Sequence, residues 1–122
     1  MMRIERLTSD FSVCRVKDFS GVDITKDFVF TAKTDEEYSL VCPTDIAPEN
    51  VIEREDHWTG FRIVGVLDFS LIGILANISS VLAAEGISIF ALSTFNTDYI
   101  LVKRENAEDA CNVLSKAGYE LI

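Results

Sequence analysis

Between Phe61 and Ile122 the hydrophobic pattern switches repeatedly between a spacing of about 2 residues and one of about 3.6, and that succession restricts the folds open to the chain. Phe61-Arg-Ile-Val-Gly-Val-Leu67 puts Phe61, Ile63 and Leu67 on one face, as a strand does. From Leu71 to Glu85, Ile74, Ile78, Val81 and Leu82 recur at helical spacing, with Leu71 and Leu75 alongside. Gly86 then offers a helix stop. Ile87 to Leu92 and Asp98 to Lys103 read as two strands joined through Asn96-Thr97. Asn106 is the expected cap of a second helix, with Asp109 beside its positive end. That helix carries Ala107, Ala110, Cys111, Leu114 and Ala117, and Gly118 ends it before a short strand, Tyr119 to Ile122.

The order β-α-β-β-α-β with right-handed crossovers predicts two helices on one face of a four-stranded antiparallel sheet, a ferredoxin-like α+β unit. Residues 1–60 form a separate expected unit, with the division at Asp56-His-Trp-Thr-Gly60. It holds seven bases and thirteen acids against four and seven in residues 61–122, and both prolines, Pro43 and Pro48. Phe11 to Lys17 alternates as a strand. Phe28 to Thr31 and Tyr38 to Cys42 suggest a hairpin across Lys33 to Glu37. Asp18 to Asp27 is too short and polar for a full helix, and Ile46 to Arg54 reads as one short helix. The first half is thus expected to be a divergent β-β-β-α unit that has lost a helix.

Composition excludes several functions. The net charge of −9 and the lack of a basic run argue against nucleic acid, whose phosphates need a basic face. No apolar run reaches the roughly 18 residues of a membrane helix. Arg3, Glu5 and Arg6 make the first residues unlike a signal peptide. Cys14, Cys42 and Cys111 are too scattered for zinc and read as buried thiols of a soluble cytoplasmic protein. The single histidine, His57, has no nucleophile at a meaningful spacing, and no phosphate-binding glycine motif is present. Asp35-Glu36-Glu37 reads as a solvated turn. No enzyme, metal or cofactor is expected.

Two loops carry chemistry. Asp68-Phe69-Ser70-Leu71-Ile72-Gly73-Ile74 joins a strand to a helix start, where unpaired amides suit a carboxylate. Gly73 there either lets a ligand approach backbone or relieves packing on the sheet. Ser93-Thr-Phe-Asn-Thr-Asp98 is either a polar hairpin turn or part of the same site.

The run Asp68 to Leu75, followed by Gly86-Ile-Ser-Ile-Phe-Ala-Leu-Ser-Thr-Phe-Asn-Thr-Asp-Tyr-Ile-Leu-Val102, resembles the ACT domain. More narrowly, it resembles bacterial tandem-ACT proteins related to the aspartate kinase regulatory region and to the eukaryotic cytosolic arginine sensor. Phe28 to Cys42 and the Trp58 region are placed like that family's divergent first unit. The resemblance implies a non-catalytic regulatory protein made of two ACT units, binding a small amino acid between units of a homodimer. One unit would supply Asp68 to Ile74 with Thr94, Phe95, Thr97 and Asp98. The facing unit would supply Ser88 and Ile89. The chain departs from the arginine sensor at Leu71, where that sensor is acidic.

The ligand carboxylate would then meet the amides of Ser70 to Gly73, and its ammonium the strand end near Thr94 and Asp98. Its side chain would face Leu71, Ile72, Ile74 and Ile89 of the partner subunit, which favours an uncharged aliphatic or small polar amino acid. The alternative is a dimerisation or protein-interaction module without a ligand.

Overall fold

The computed structural model describes residues 2–64 and 73–122. Its strands are β1 (Arg3–Val16), β2 (Phe30–Lys33), β3 (Tyr38–Pro43), β4 (Val51–Val64), β5 (Phe90–Ser93), β6 (Asp98–Lys103) and β7 (Glu120–Leu121). Its helices are α1 (Ile74–Ala84) and α2 (Ala107–Lys116). The chain divides into two compact units: Met1–Thr8 with Thr59–Ile122, and Ser9–Trp58. Both divisions fall inside long strands, so β1 and β4 each contribute to both units. The expected division at residues 56–60 lies within β4, and residues 2–8 join the second unit rather than the first.

The larger unit has the anticipated β-α-β-β-α-β order, completed by the start of β1. β5 and β6 pair antiparallel, from Phe90↔Leu101 to Ser93↔Asp98. β7 pairs parallel with β1, Arg3↔Glu120 and Ile4↔Leu121, so the four-stranded antiparallel sheet expected from residues 61–122 alone is corrected. The strand order runs β1-β4-β6-β5, with β7 on β1. The charges of Arg3, Glu5 and Arg6 hide this strand in the sequence. In the fold Glu5 accepts from Arg62 at 2.7 Å and Arg6 donates to Glu108 at 2.7 Å, while Ile4 and Leu7 are buried.

α1 forms because Ile78 and Leu82 fall on one face and become fully buried. It ends at Gly86, whose φ of 73° only glycine adopts without strain. The Ile87 amide bonds Leu82 O at 3.0 Å and buries the Ile87 side chain, a Schellman closure. α2 buries Ala107, Ala110 and Leu114 on the same core as Ile4, Phe61, Ile63, Ile100 and Val102. Asn106 precedes α2 but makes no side-chain cap bond; a 3₁₀ turn, Arg104–Asn106, leads into the helix instead. Glu108 and Asp109 lie in its first turn.

The smaller unit orders its strands β2-β3-β1-β4. β1 and β3 pair antiparallel from Phe11↔Pro43 to Val16↔Tyr38. The β2–β3 hairpin closes at Lys33↔Tyr38. The helix expected over Ile46 to Arg54 is absent. A 3₁₀ turn, Thr44–Ile46, is followed by β4 from Val51. β1 is 14 residues long and β4, also 14, lies next to it, so sheet pairing overrides local helix preference there. The core is Cys14, Val16, Leu40 and Cys42, covered by Phe19, Val22, Val29 and Ile46.

Candidate functional site

Five residues of the expected site, Asp68, Phe69, Ser70, Leu71 and Ile72, lie outside the described residues. The segment that holds them connects the end of β4, at Val64, to Gly73. Gly73 caps α1 with φ 86° and ψ 12°, a left-handed conformation, and its carbonyl accepts the first helical bond from Asn77 N–H at 2.8 Å. A Cβ on Gly73 would meet nothing within 4 Å among the described residues. Of the two roles open in the sequence, relief of packing finds no neighbour among the described residues, and what the position demands is the left-handed backbone. Ile74 begins α1, half-buried against the core.

The β5–β6 turn stands at the same end of the sheet. Thr97 is only 4% exposed, and its hydroxyl donates to Ile63 O of β4 at 2.7 Å. Thr94 closes the turn: its amide and hydroxyl donate to Thr97 O at 2.9 and 2.8 Å, and its Oγ1 accepts from Thr97 N–H at 3.2 Å. Phe95 at the tip is 109% exposed. Asp98 opens β6, half-buried, opposite Ser93. It shares parity with Ile100 and Val102, so it lies on the helix-facing side of the sheet. The fold thus brings Thr94, Phe95, Thr97 and Asp98 beside the end of β4.

Ser88 and Ile89 lie elsewhere. α1 has 11 residues, about 16 Å at 1.5 Å per residue, and they follow its far end. With Ser79, Ser80, Ala83, Gly86 and Ile87 they line a shallow cavity of about 550 Å³. Ser88 is exposed and Ile89 packs on the core. One copy therefore does not gather all the expected residues at one place. A second groove, about 620 Å³, runs between α1 and α2 along Val81, Ile87 and Val113, away from the turn. Its walls also carry Glu85, Asp109, Asn112 and Lys116, but none of the expected site residues lines it, and the turn at the end of β4 remains the candidate.

The role of Ile63 was not legible in the sequence, because its contribution is a backbone carbonyl. Thr97 carried a weak signal, as a hydroxyl residue directly before an apolar strand.

The smaller unit has its own polar cluster. Ser12 is fully buried and donates to Asp56 Oδ1 at 2.5 Å; Arg54 Nε donates to the same oxygen at 2.9 Å. These bonds hold the Asp56 carboxyl below its ordinary range. Burial pushes the thiols of Cys14 and Cys111 up, and that of Cys42 up to about 11. Burial therefore disfavours the thiolate at all three. Among the described residues no group of three or more His, Cys, Asp or Glu side chains could hold a metal, and no helix is long and apolar enough to cross a membrane. His57 is exposed.

A sheet with two helices on one face is the ferredoxin-like α+β architecture. The family model described as ACT domain matches residues 53–116, from β4 through α2, and the chain belongs to the ACT domain family. It is similar to protein Atu0741 from Agrobacterium tumefaciens at 30% identity and a TM-score of 0.89, over 99% of this chain and 92% of that one. The regulatory subunit of aspartate kinase from Thermus thermophilus shares the fold at 13% identity and a TM-score of 0.67, over 94% and 96%. So does VC0802 from Vibrio cholerae, described as a possible transport protein, at 22% identity and a TM-score of 0.75, over 94% and 88%. Comparison with curated proteins gives no match.

Proposed function

We propose that this chain is a non-catalytic regulatory protein that binds a small amino acid between its larger unit and the same unit of a second copy. The observation that carries the reading is the 2.7 Å bond from buried Thr97 to Ile63 O. It holds the turn that bears Thr94, Phe95 and Asp98 against the strand that leads to Gly73. The amides from Ser70 to Gly73 would receive the carboxylate of the ligand, and Asp98 with the carbonyls near Thr94 its ammonium. Ser88 and Ile89 would come from the partner, which accords with their position past the far end of α1. The likeness to an aspartate kinase regulatory subunit supports a regulatory role. Three unpaired, buried or half-buried thiols fit a cytoplasmic setting.

Homodimer formation is favoured by β5, which ends the strand order beside β6 among the described residues. Its apolar residues divide between faces: Phe90 and Leu92 pair with Leu101 and Tyr99 on the side away from the helices, whereas Ile87 and Ile89 pack on the core. Light scattering at micromolar concentration should give a dimer; a monomer with and without amino acids counts against the shared site.

Thermal shift against the twenty amino acids tests the ligand. A ligand that binds only the folded state at about 100 times its Kd adds about 2.7 kcal/mol of stability. No shift from any of them leaves the second reading, an interaction module without a ligand, which the full exposure of Phe95 favours.

A further inference from the structure

The sequence resemblance groups Thr97 with Thr94, Phe95 and Asp98 as ligand contacts, but the hydrogen bonds give it another role. Its amide donates to Thr94 Oγ1, its carbonyl accepts from Thr94 N–H and Thr94 Oγ1, and its hydroxyl donates to Ile63 O. Each of its polar groups is engaged within the protein, and the side chain is 4% exposed. Thr94, by contrast, is exposed.

We infer that Thr97 is a positioning residue: its hydroxyl is a strut from the β5–β6 turn to β4, and it fixes where Thr94, Phe95 and Asp98 stand at the end of the sheet. The inference rests on the amino-acid-binding reading above. β6 neighbours β4 in the sheet, and the β5–β6 pairing ends at Ser93↔Asp98. Beyond that pair the turn is held to itself by Thr94 and to the rest of the sheet by the Thr97 hydroxyl. A side chain without a donor there removes the strut and leaves the Thr94–Thr97 bonds in place. Serine keeps the donor and loses one methyl group. Valine keeps the shape and loses the donor.

Thr97→Val and Thr97→Ser are compared in the full chain by two measurements. The first, without ligand, is amide hydrogen exchange. In Thr97→Val the Thr94 and Thr97 amides should exchange faster while those of Ile78 and Leu114 do not; in Thr97→Ser all should match the parent. The second is calorimetry with leucine, isoleucine, valine and threonine as probes. Thr97→Val should weaken binding of whichever the parent binds by roughly tenfold, the worth of one hydrogen bond at a preorganised site, and Thr97→Ser should restore it.

Faster turn exchange with unchanged affinity makes the strut structural only and overturns the inference. So does unchanged turn exchange, and so does faster exchange spread evenly over both helices. If the parent binds none of the twenty amino acids, the binding reading fails with it, whereas the exchange result still decides whether the strut holds the turn.

Discussion

Ser12, fully buried in β1, donates its hydroxyl to Asp56 Oδ1 of β4 at 2.5 Å, and with that proton engaged its oxygen accepts from Thr44 Oγ1 at 2.8 Å. Arg54 Nε donates to the same Asp56 oxygen at 2.9 Å. The Asp56 carboxyl is therefore depressed below its ordinary value of 3.8, first by Ser12 and then by Arg54. A depressed carboxyl contributes stability that is complete above its unfolded value and is lost as pH falls through its folded one. Asp56→Asn should flatten the acid limb of a stability–pH curve below about pH 4 relative to the parent. Denaturant midpoints from pH 7 to pH 2 measure this, and parallel curves for parent and variant would contradict it.

Gly73 needs a left-handed backbone, so valine there is strained although no described residue crowds its Cβ. Gly73→Val should cost about 1–3 kcal/mol, more than the few tenths that a β-branched residue costs inside a helix. Gly73→Asn should cost less, since asparagine visits that region more readily. Thermal denaturation of the pair decides it; equal losses would place the demand elsewhere.

Leu82 is fully buried on α1 and also accepts the Ile87 amide that closes the helix. Leu82→Ala should cost about 2–5 kcal/mol through the cavity it leaves, with the backbone closure intact. Urea denaturation measures the loss. A change under 1 kcal/mol would mean that the core between α1 and α2 collapses to fill the space.

Asp98 lies on the helix-facing side of the sheet at the end where α1 begins. Assigned to the ligand ammonium, it should be required for any amino acid. Leucine, isoleucine, valine, threonine and arginine titrated in parallel should show the uncharged ligands preferred, and Asp98→Ala should weaken all of them. Tight arginine binding abolished by Asp98→Ala would instead assign Asp98 to the side chain of the ligand.

Where periodicity was strong, sequence and structure agree closely. Ile78, Leu82, Ala110 and Leu114 are buried as their spacing requires, Asp98 to Lys103 is a strand with those bounds, and the chain turns at Gly86 and Gly118. Disagreement arises where a long-range partner decides. Residues 3–8 pattern poorly because Glu5 and Arg6 pair with Arg62 and Glu108, far away in sequence. Val51 to Arg54 is strand because β1 runs next to it. At the candidate site, the polar run from Thr94 to Asp98 was legible as a break between two apolar strands. The inward turn of the Thr97 hydroxyl was not, since its acceptor is a main-chain oxygen 34 residues away.

The parallel pairing of Arg3 and Ile4 with Glu120 and Leu121 joins residues more than a hundred positions apart. Between β4 and β7 in the larger unit stands a strand made before every other part of that unit. During synthesis residues 3–8 emerge before the rest of that unit and must wait for residues 120–121, so the larger unit closes after the β2–β3 hairpin has had time to form locally. A fragment starting at Thr59 would lack an inner strand, with β4 exposed along one side and β7 deprived of its partner.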